Sequence, residues 1–592
     1  MQTFLQRIAQ KYFENYNSDI QRFTFVFPNR RAGVFFQKYL SELTDKPIFA
    51  PVIQTITDFF LSASPLMLAD RLGNLFLLYQ IFKRHSKNAE SFDDFIFWGE
   101  VILSDFEEVD KFLVNPKQLF TNVADLKDLD NWLDALTDEQ KEVIQRFWAN
   151  FDPIKSEKGE EFVAMWKILL PIYEDFRAEL LAANSATEAM IQRDVVERLQ
   201  KGEIAEMLDN QYVFVGFNAL TACEKQAFLE LKKRNRADFY FDYEADELQD
   251  ADNPASLFFH ENKQLFPSKF DIGNECIALN DKDLEYISVP SSVGQAKQIY
   301  EILQQLTATE KSQADSLKTA IVLPDENLLI PLLHSFPPEI QQINVTMGFP
   351  LKATPAFALF EHVFGLHKRA RVAKDGKTSF YYKDVLNILN HRYISENPDC
   401  LLLEIKQKIT AENLIYIDAK FFENNDFLAQ IFQNQSDTKT FIAYLLNIIT
   451  NIHKAWKTNE NADFQLDSDF LYHYYLAFNR IAVILKKNTY NVDFQLDTLI
   501  QIIKQFTQGI SIPFEGEPLA GLQVMGVLET RLLDFENVIV SSFSEGIFPK
   551  RNPPDSFIPQ NLRKGFGLPT TDRQDAVSSY NFYRLIARAK RV

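Results

Sequence analysis

Five consecutive residues, Phe23-Thr24-Phe25-Val26-Phe27, constrain the fold of this chain more than any other stretch. Aromatic and β-branched side chains suit a pleated, buried surface, and Pro28-Asn29 ends the run, so it reads as a short buried strand. Apolar residues at helical spacing follow at Phe36, Tyr39/Leu40 and Leu43. Strand, polar turn and helix together open an α/β unit. Residues 51–56 supply another strand-like piece, with Asp58 placed to cap the helix after it. Strand character returns at residues 212–215 and 238–242, with a helix over about 223–233 between them, as in a β-α-β unit. A third block begins with Tyr286-Ile287-Ser288-Val289. Ser291-Ser292 then caps a helix over 294–306, and residues 319–323 make the next strand. Residues 522–525 and 537–540 restore strand character near the end, before a basic helix over 575–591.

Between these blocks, residues 66–200 and 380–507 are helical in character. Asp93, Asp94, Asp105, Glu107, Glu108 and Asp110 are expected on solvated helix faces, because no histidine or loop geometry makes them a metal site. Cys223, Cys276 and Cys400 lie too far apart to form a zinc or iron–sulfur site by themselves and read as reduced thiols. Arg7 and Lys11 interrupt the N-terminal apolar residues, which also lack a small-residue cleavage site, so no secretory signal is read there. The most apolar stretch, 441–452, is too short to span a bilayer. The expectation is a cytoplasmic protein with no membrane partner.

Four motifs carry a resemblance. Residues 524–540, Val-Met-Gly-Val-Leu-Glu-Thr-Arg-Leu-Leu-Asp-Phe-Glu-Asn-Val-Ile-Val, continue into Ser544-Glu545-Gly546-Ile547-Phe548-Pro549. This stretch resembles a motif of UvrD-like superfamily 1 helicases, in which a strand delivers a turn that meets nucleic acid. Residues 582–590 resemble the last motif of that superfamily, with Arg588 at the position of an arginine that reaches a nucleotide phosphate. Val26-Phe27-Pro28-Asn29-Arg30-Arg31-Ala32 is similar to the turn that grips single-stranded DNA, and Thr55-Ile56-Thr57-Asp58-Phe59 to the segment after it. Within the superfamily the wording is closest to the AddB-like (RecC-like) family, through Pro28-Asn29-Arg30-Arg31-Ala32, residues 528–534 and Arg563-x-x-Phe566-Gly567-Leu568-Pro569.

The resemblance implies an α/β fold of two RecA-like (P-loop NTPase-like) cores with two large helical insertions. Residues 1–65 plus 205–280 would form the first core and 66–204 its insertion. Residues 281–370 plus 508–592 would form the second core, incomplete at its C-terminus, and 371–507 its insertion. In that family a PD-(D/E)XK nuclease domain follows the last helicase motif, and Mg²⁺ is expected only there. The chain is therefore expected to be a fragment with no cofactor in this segment. Its implied partners are single-stranded DNA, DNA ends and an AddA-like motor subunit.

The parts that handle ATP are missing from the letters. An ATP motor needs a glycine-rich loop with Lys-Ser/Thr to cradle phosphates. The 22 residues before Phe23 contain no glycine. The sole Gly-Lys-Thr, Gly376-Lys377-Thr378, has Arg371 where the first glycine belongs and reads as a surface turn. Residues 212–215 end in Gly216-Phe217-Asn218, without the acidic pair that holds Mg²⁺, and residues 319–323 end in Pro324-Asp325 rather than an arginine. A nuclease site is not defensible either. Asp399 and Glu404-Ile405-Lys406 fit the letters but leave no room for a hairpin, and His362 and His367 fall on different helix faces.

Net charge is −19, yet residues 550–592 hold nine basic residues and three acids. That local basicity suits phosphate contact. The expected DNA contacts are Asn29, Arg30, Arg31, Thr57, Glu529, Thr530, Arg531 and Arg588, with Glu529 reading a base edge or orienting Arg531. The expected function is a DNA-binding, ATPase-inactive helicase-like subunit of a helicase–nuclease that processes double-strand breaks for recombinational repair. Two alternatives stand beside it: an active superfamily 1 helicase with a diverged phosphate loop, and a non-catalytic interaction scaffold.

Overall fold

A computed structural model describes residues 2–86, 90–124, 158–309, 318–373, 377–396, 401–435, 437–457, 464–487, 492–514, 519–550 and 556–592. The first apolar run forms strand β1 (Phe23–Phe27), buried throughout its length. Parallel neighbours β2 (Val52–Thr55) and β3 (Gln211–Val215) flank it, and β4 (Ala237–Tyr240) pairs with β3, giving the order β2-β1-β3-β4. A second parallel sheet has the order β8-β5-β7-β6, from β5 (Thr319–Val322), β6 (Ile343–Val345), β7 (Leu522–Met525) and β8 (Asn537–Val540). β1, β5 and β7 are buried at every residue, as parallel strands covered on both faces must be.

The chain divides into two compact units. The first comprises residues 1–89, 97–347 and 515–592, and the second residues 90–96 and 348–514. In the first unit one apolar core joins the two sheets: Phe25, Phe27, Val213 and Val215 of the first sheet with Ala320, Val322, Met525 and Val538 of the second. Helix α1 (Phe4–Tyr16) enters this core through Phe4, Leu5, Ile8 and Tyr12, a stripe at helical spacing, and starts at a Thr3–Gln6 capping box. Helix α2 (Arg30–Ser41) follows β1, and α3 (Ile56–Ser62) follows β2. Thr55 caps α3, whereas Asp58, the expected cap, is the reciprocal member of that capping box three residues in. Helices α4 (Ala222–Lys233), α5 (Ser292–Thr309) and α6 (Thr571–Ile586) complete the set that flanks the sheets.

The helical stretch after β2 departs from expectation at its acids. Asp105 and Asp110 are 5% and 2% exposed, not solvated. Asp110 accepts from Tyr173 Oη (2.6 Å) and pairs with Arg177 and Arg193. Asp105 accepts from Ser556 Oγ (2.6 Å) and Phe557 N–H (2.8 Å). Among the described residues no group of acids, histidines and cysteines could hold a metal ion.

The second unit is wider than residues 371–507, because Leu359, Phe360, Val363 and Phe364 of the helix Pro355–Lys368 pack into its core. It is not wholly helical: Arg371–Val372, Thr378–Tyr381 and Tyr416–Asp418 form a three-stranded antiparallel sheet. Of the Gly376-Lys377-Thr378 decoy, Thr378 opens the strand Thr378–Tyr381, while Gly376 lies outside the described residues, as do Asp399 and Cys400. Glu404, Ile405 and Lys406 sit in the helix Leu401–Ala411. Among the described residues no helix is long and apolar enough to cross a membrane.

Candidate nucleic-acid interface

The turn after β1 is built by its own polar residues. Asn29 caps α2 by accepting from Ala32 N–H (2.8 Å), which leaves Arg30 exposed at the first helical position. No carboxylate pairs with Arg30 among the described residues. The Asn29 amide nitrogen donates to the Leu528 carbonyl (3.4 Å), so this turn meets the short 3₁₀ turn Val527–Thr530 that follows β7. Arg31 points the same way. It donates to Gln523 Oε1 (3.2 Å), an oxygen that also accepts from Asn344 Nδ2 (2.7 Å), and burial lowers its pKa against the opposing pull of Glu529. Gln523 is fully buried within β7 and spends its own amide hydrogens on Ala520 and Gly521 carbonyls. Arg31 is thus a tie between the two sheets rather than an open cation.

The opposite turn is equally occupied. Glu529 accepts from Gly526 N–H (2.6 Å) and Thr346 Oγ1 (2.9 Å), so its carboxylate holds the turn and is not turned toward a base or toward Arg531. Thr530 is 2% exposed and donates to the Val527 carbonyl (2.7 Å). Arg531 is half-buried beside Tyr580 and Glu224, and burial lowers its pKa. Leu528, at the tip of the turn, is 61% exposed. Thr57 stands apart on α3, its hydroxyl 3.4 Å from Glu188. The structure therefore gathers Asn29, Arg31, Leu528 and Glu529, carries Arg30 at the rim, and leaves Thr57 elsewhere.

Arg588 is in a different place altogether. It is 3% exposed, and Asp242 receives both its terminal nitrogens at 2.9 Å. Asp534 (3.1 Å) and Glu244 (2.8 Å) complete its shell. Arg584, one helical turn earlier, donates to Asp242 (2.9 Å), Asp534 (2.8 Å) and the Leu533 carbonyl. Arg7 of α1 pairs with Glu244 (2.6 Å), and the Phe4 N–H reaches Asp534 (2.9 Å). Three arginines and three carboxylates balance in a buried clasp. Asp242 and Glu244 follow β4, Asp534 precedes β8, and the arginines come from α1 and the C-terminal helical segment. Burial alone would raise the Asp242 pKa, but Arg588 and Arg584 more than offset it and hold the carboxyl below its usual range. A guanidinium so neutralised cannot serve a DNA phosphate, so Arg588 leaves the set of contacts.

The expected basic patch shrinks for the same reason. Of its nine cations, Arg563, Arg584 and Arg588 are buried, and Lys590 pairs with Glu536 (3.2 Å). Arg563 donates to Pro569 O (2.8 Å) and Ser556 Oγ (2.7 Å) and pairs with Glu108, so the Arg563-x-x-Phe-Gly-Leu-Pro wording is a structural clasp. Arg551 lies outside the described residues.

The ends of the strands are occupied by the chain's own residues. Before β1 the described residues form α1 and a 3₁₀ turn, without a strand or a glycine loop. After β3, Gly216 has φ +73°, and a Cβ there would lie 1.9 Å from Leu532 Cδ2. Leu532 itself sits at φ 66°. That space is filled with an apolar side chain. Asp325, after β5, accepts from Asn327 N–H (3.1 Å) and caps a turn. Gln523, Asn344, Thr346, Asp242 and Asp534 were not singled out by sequence. A signal existed for the clasp: Arg584 and Arg588 are four apart within the helix expected over 575–591, although that helix ends at Ile586 and Arg588 lies in the turn after it, and Asp242 closes an apolar run. No protein-family model matches this chain, and a search among curated proteins finds no match either.

Proposed function

We propose that this chain is the ATPase-silent, helicase-like part of an AddB-like helicase–nuclease that processes double-strand DNA breaks. In this reading the two parallel sheets and their flanking helices act as two RecA-like cores. They hold one displaced DNA strand while an AddA-like motor subunit hydrolyses ATP. The observation that carries the reading is the Asp242–Arg588 pair. The arginine whose counterpart in the superfamily reaches a nucleotide is bound bidentately by the protein's own carboxylate. The filled space at Gly216, after β3, supports the same reading.

Single-stranded DNA is the partner this reading assigns to the rim. Arg30 is the exposed cation there, Leu528 the exposed apolar tip beside it, and Arg531 the half-buried cation behind. Phosphates bind such cations with release of counterions, and a base finds an apolar surface at Leu528. The direct test is ATP hydrolysis by the purified chain with and without single-stranded DNA. None is expected beyond background. Hydrolysis that DNA stimulates and Arg588→Ala abolishes would replace this reading with that of an active helicase.

A further inference from the structure

Arg7, Arg563, Arg584 and Arg588 are withdrawn from solvent and meet carboxylates, and half-buried Arg31 meets Gln523. Arg531 is the exception. It is half-buried where the turn after β7 ends, yet among the described residues it donates no hydrogen bond and forms no ion pair. The charge it feels most among carboxylates is Glu224, and Glu224 is already engaged: it accepts from Thr221 N–H (2.8 Å) in the capping box of α4. A guanidinium taken out of water with its donors unspent is unfavourable for the fold.

Two further donors in the same place are unspent. The helix Phe92–Lys111 ends beside the start of α4, where Cys223 Sγ lies 3.4 Å from the Asp110 carbonyl oxygen. Lys111, the next residue, is half-buried and within electrostatic reach of Glu224, and among the described residues it has no hydrogen bond or ion pair. At the end of β3, Asn218 accepts from Tyr243 Oη (2.7 Å), but its amide nitrogen is enclosed and has no acceptor. Tyr243 packs edge-on against Tyr580, with 5.6 Å between ring centroids, and Leu532 packs on Gly216, so Asn218 and Arg531 share one corner of the first unit. Two cations stand there against one carboxylate.

We propose that Arg531, Lys111 and Asn218 together hold a phosphate group beside the first turn of α4. A planar carboxylate pairs with the guanidinium alone and leaves the other two donors unmet. A tetrahedral phosphate presents oxygens in several directions, two to the guanidinium fork and others to the ammonium and the amide. Both cations keep part of their surface in solvent, so the group has access. The phosphate comes from the backbone of single-stranded DNA, a source that rests on the reading above, or from free phosphate, a source that does not.

The test is thermal unfolding of the whole chain at one ionic strength, in chloride, in inorganic phosphate, and in chloride with oligothymidylate. An occupant of the site stabilises the folded chain by mass action, so at least one probe is expected to raise the melting temperature by about 2 °C or more. Arg531→Met keeps the apolar stem and removes the unmatched charge. It is expected to melt no lower than the parent in chloride and to lose the response to the probe. Lys111→Gln is expected to weaken the responding probe about tenfold, as loss of a charged hydrogen bond does. A response to inorganic phosphate alone keeps the site and removes DNA as its source. No response to either probe would overturn the proposal, and so would a parent-like response in Arg531→Met. Lower melting of Arg531→Met in chloride would make Arg531 a structural residue and overturn it as well.

Discussion

Asp242→Asn is the perturbation that bears hardest on the clasp. The substitution is isosteric, so it opens no cavity; its whole effect is electrostatic. Asp242 is fully buried and accepts three arginine hydrogen bonds at 2.9 Å. An amide supplies one oxygen for those donors and turns its own N–H₂ toward two guanidiniums. Arg7, Arg584 and Arg588 are then left with two carboxylates, Glu244 and Asp534, and one buried positive charge is uncompensated. Breaking a buried pair from one side costs about 3–5 kcal/mol. Urea unfolding of the purified chain, followed by near-ultraviolet circular dichroism, reads this loss as a lowered midpoint at unchanged slope. The pH dependence follows. Because the folded chain holds the Asp242 carboxyl below its ordinary range, its contribution is present above about pH 4 and is lost as pH falls further. Asp242→Asn therefore removes that part of the acid-side loss. A variant within about 1 kcal/mol of the parent protein, with an unchanged acid limb, would refute the argument, since surface-like pairs behave in that way.

Other outcomes follow from the same geometry. Gly216→Ala is expected to destabilise by at least about 2 kcal/mol, from a left-handed backbone and a forced contact with Leu532, and a shift below about 0.5 kcal/mol in unfolding free energy would contradict it. Arg30→Glu is expected to leave the melting temperature unchanged while weakening oligothymidylate binding and lowering its salt slope by about 0.7, read by fluorescence anisotropy. Burial pushes the Asp105 carboxyl up to about 7, opposed by its hydrogen bonds from Ser556 and Phe557. The folded chain thus keeps a proton that the unfolded chain releases near pH 4, and this group costs stability as pH rises from about 4 to 7. Asp105→Asn is expected to flatten that limb of the unfolding profile, and an unaltered profile would remove Asp105 as its source.

Local patterns in the sequence carried the sheets. Phe23–Phe27, Leu522–Met525 and Asn537–Val540 are apolar runs bounded by turns, and each is a parallel strand at the expected place. The turn at Asn29 was legible too, because capping is a matter of three residues. Ionic partnerships were not. Arg588 and Asp242 lie 346 residues apart, and Asp105 and Ser556 lie 451 apart, so no window of sequence shows that these charges are spent on each other. Acids spaced along a helix and cations gathered at a terminus look solvated until their partners are placed. Tyr286–Ile287 failed in the opposite sense: the residues are those of a strand, and the structure leaves them exposed and in no strand.

The central claim is that contacts for a polynucleotide are kept where those for a nucleotide are closed. The affinity of the purified chain for a labelled single-stranded oligonucleotide, measured at 50 and 200 mM salt with and without ATP and Mg²⁺, tests it most directly. With the two phosphates met by Arg30 and Arg531 neutralised, the affinity is expected to fall by about sevenfold over that salt range and to be the same in both nucleotide conditions. Binding that ignores salt, or that changes when ATP and Mg²⁺ are added, would contradict the account.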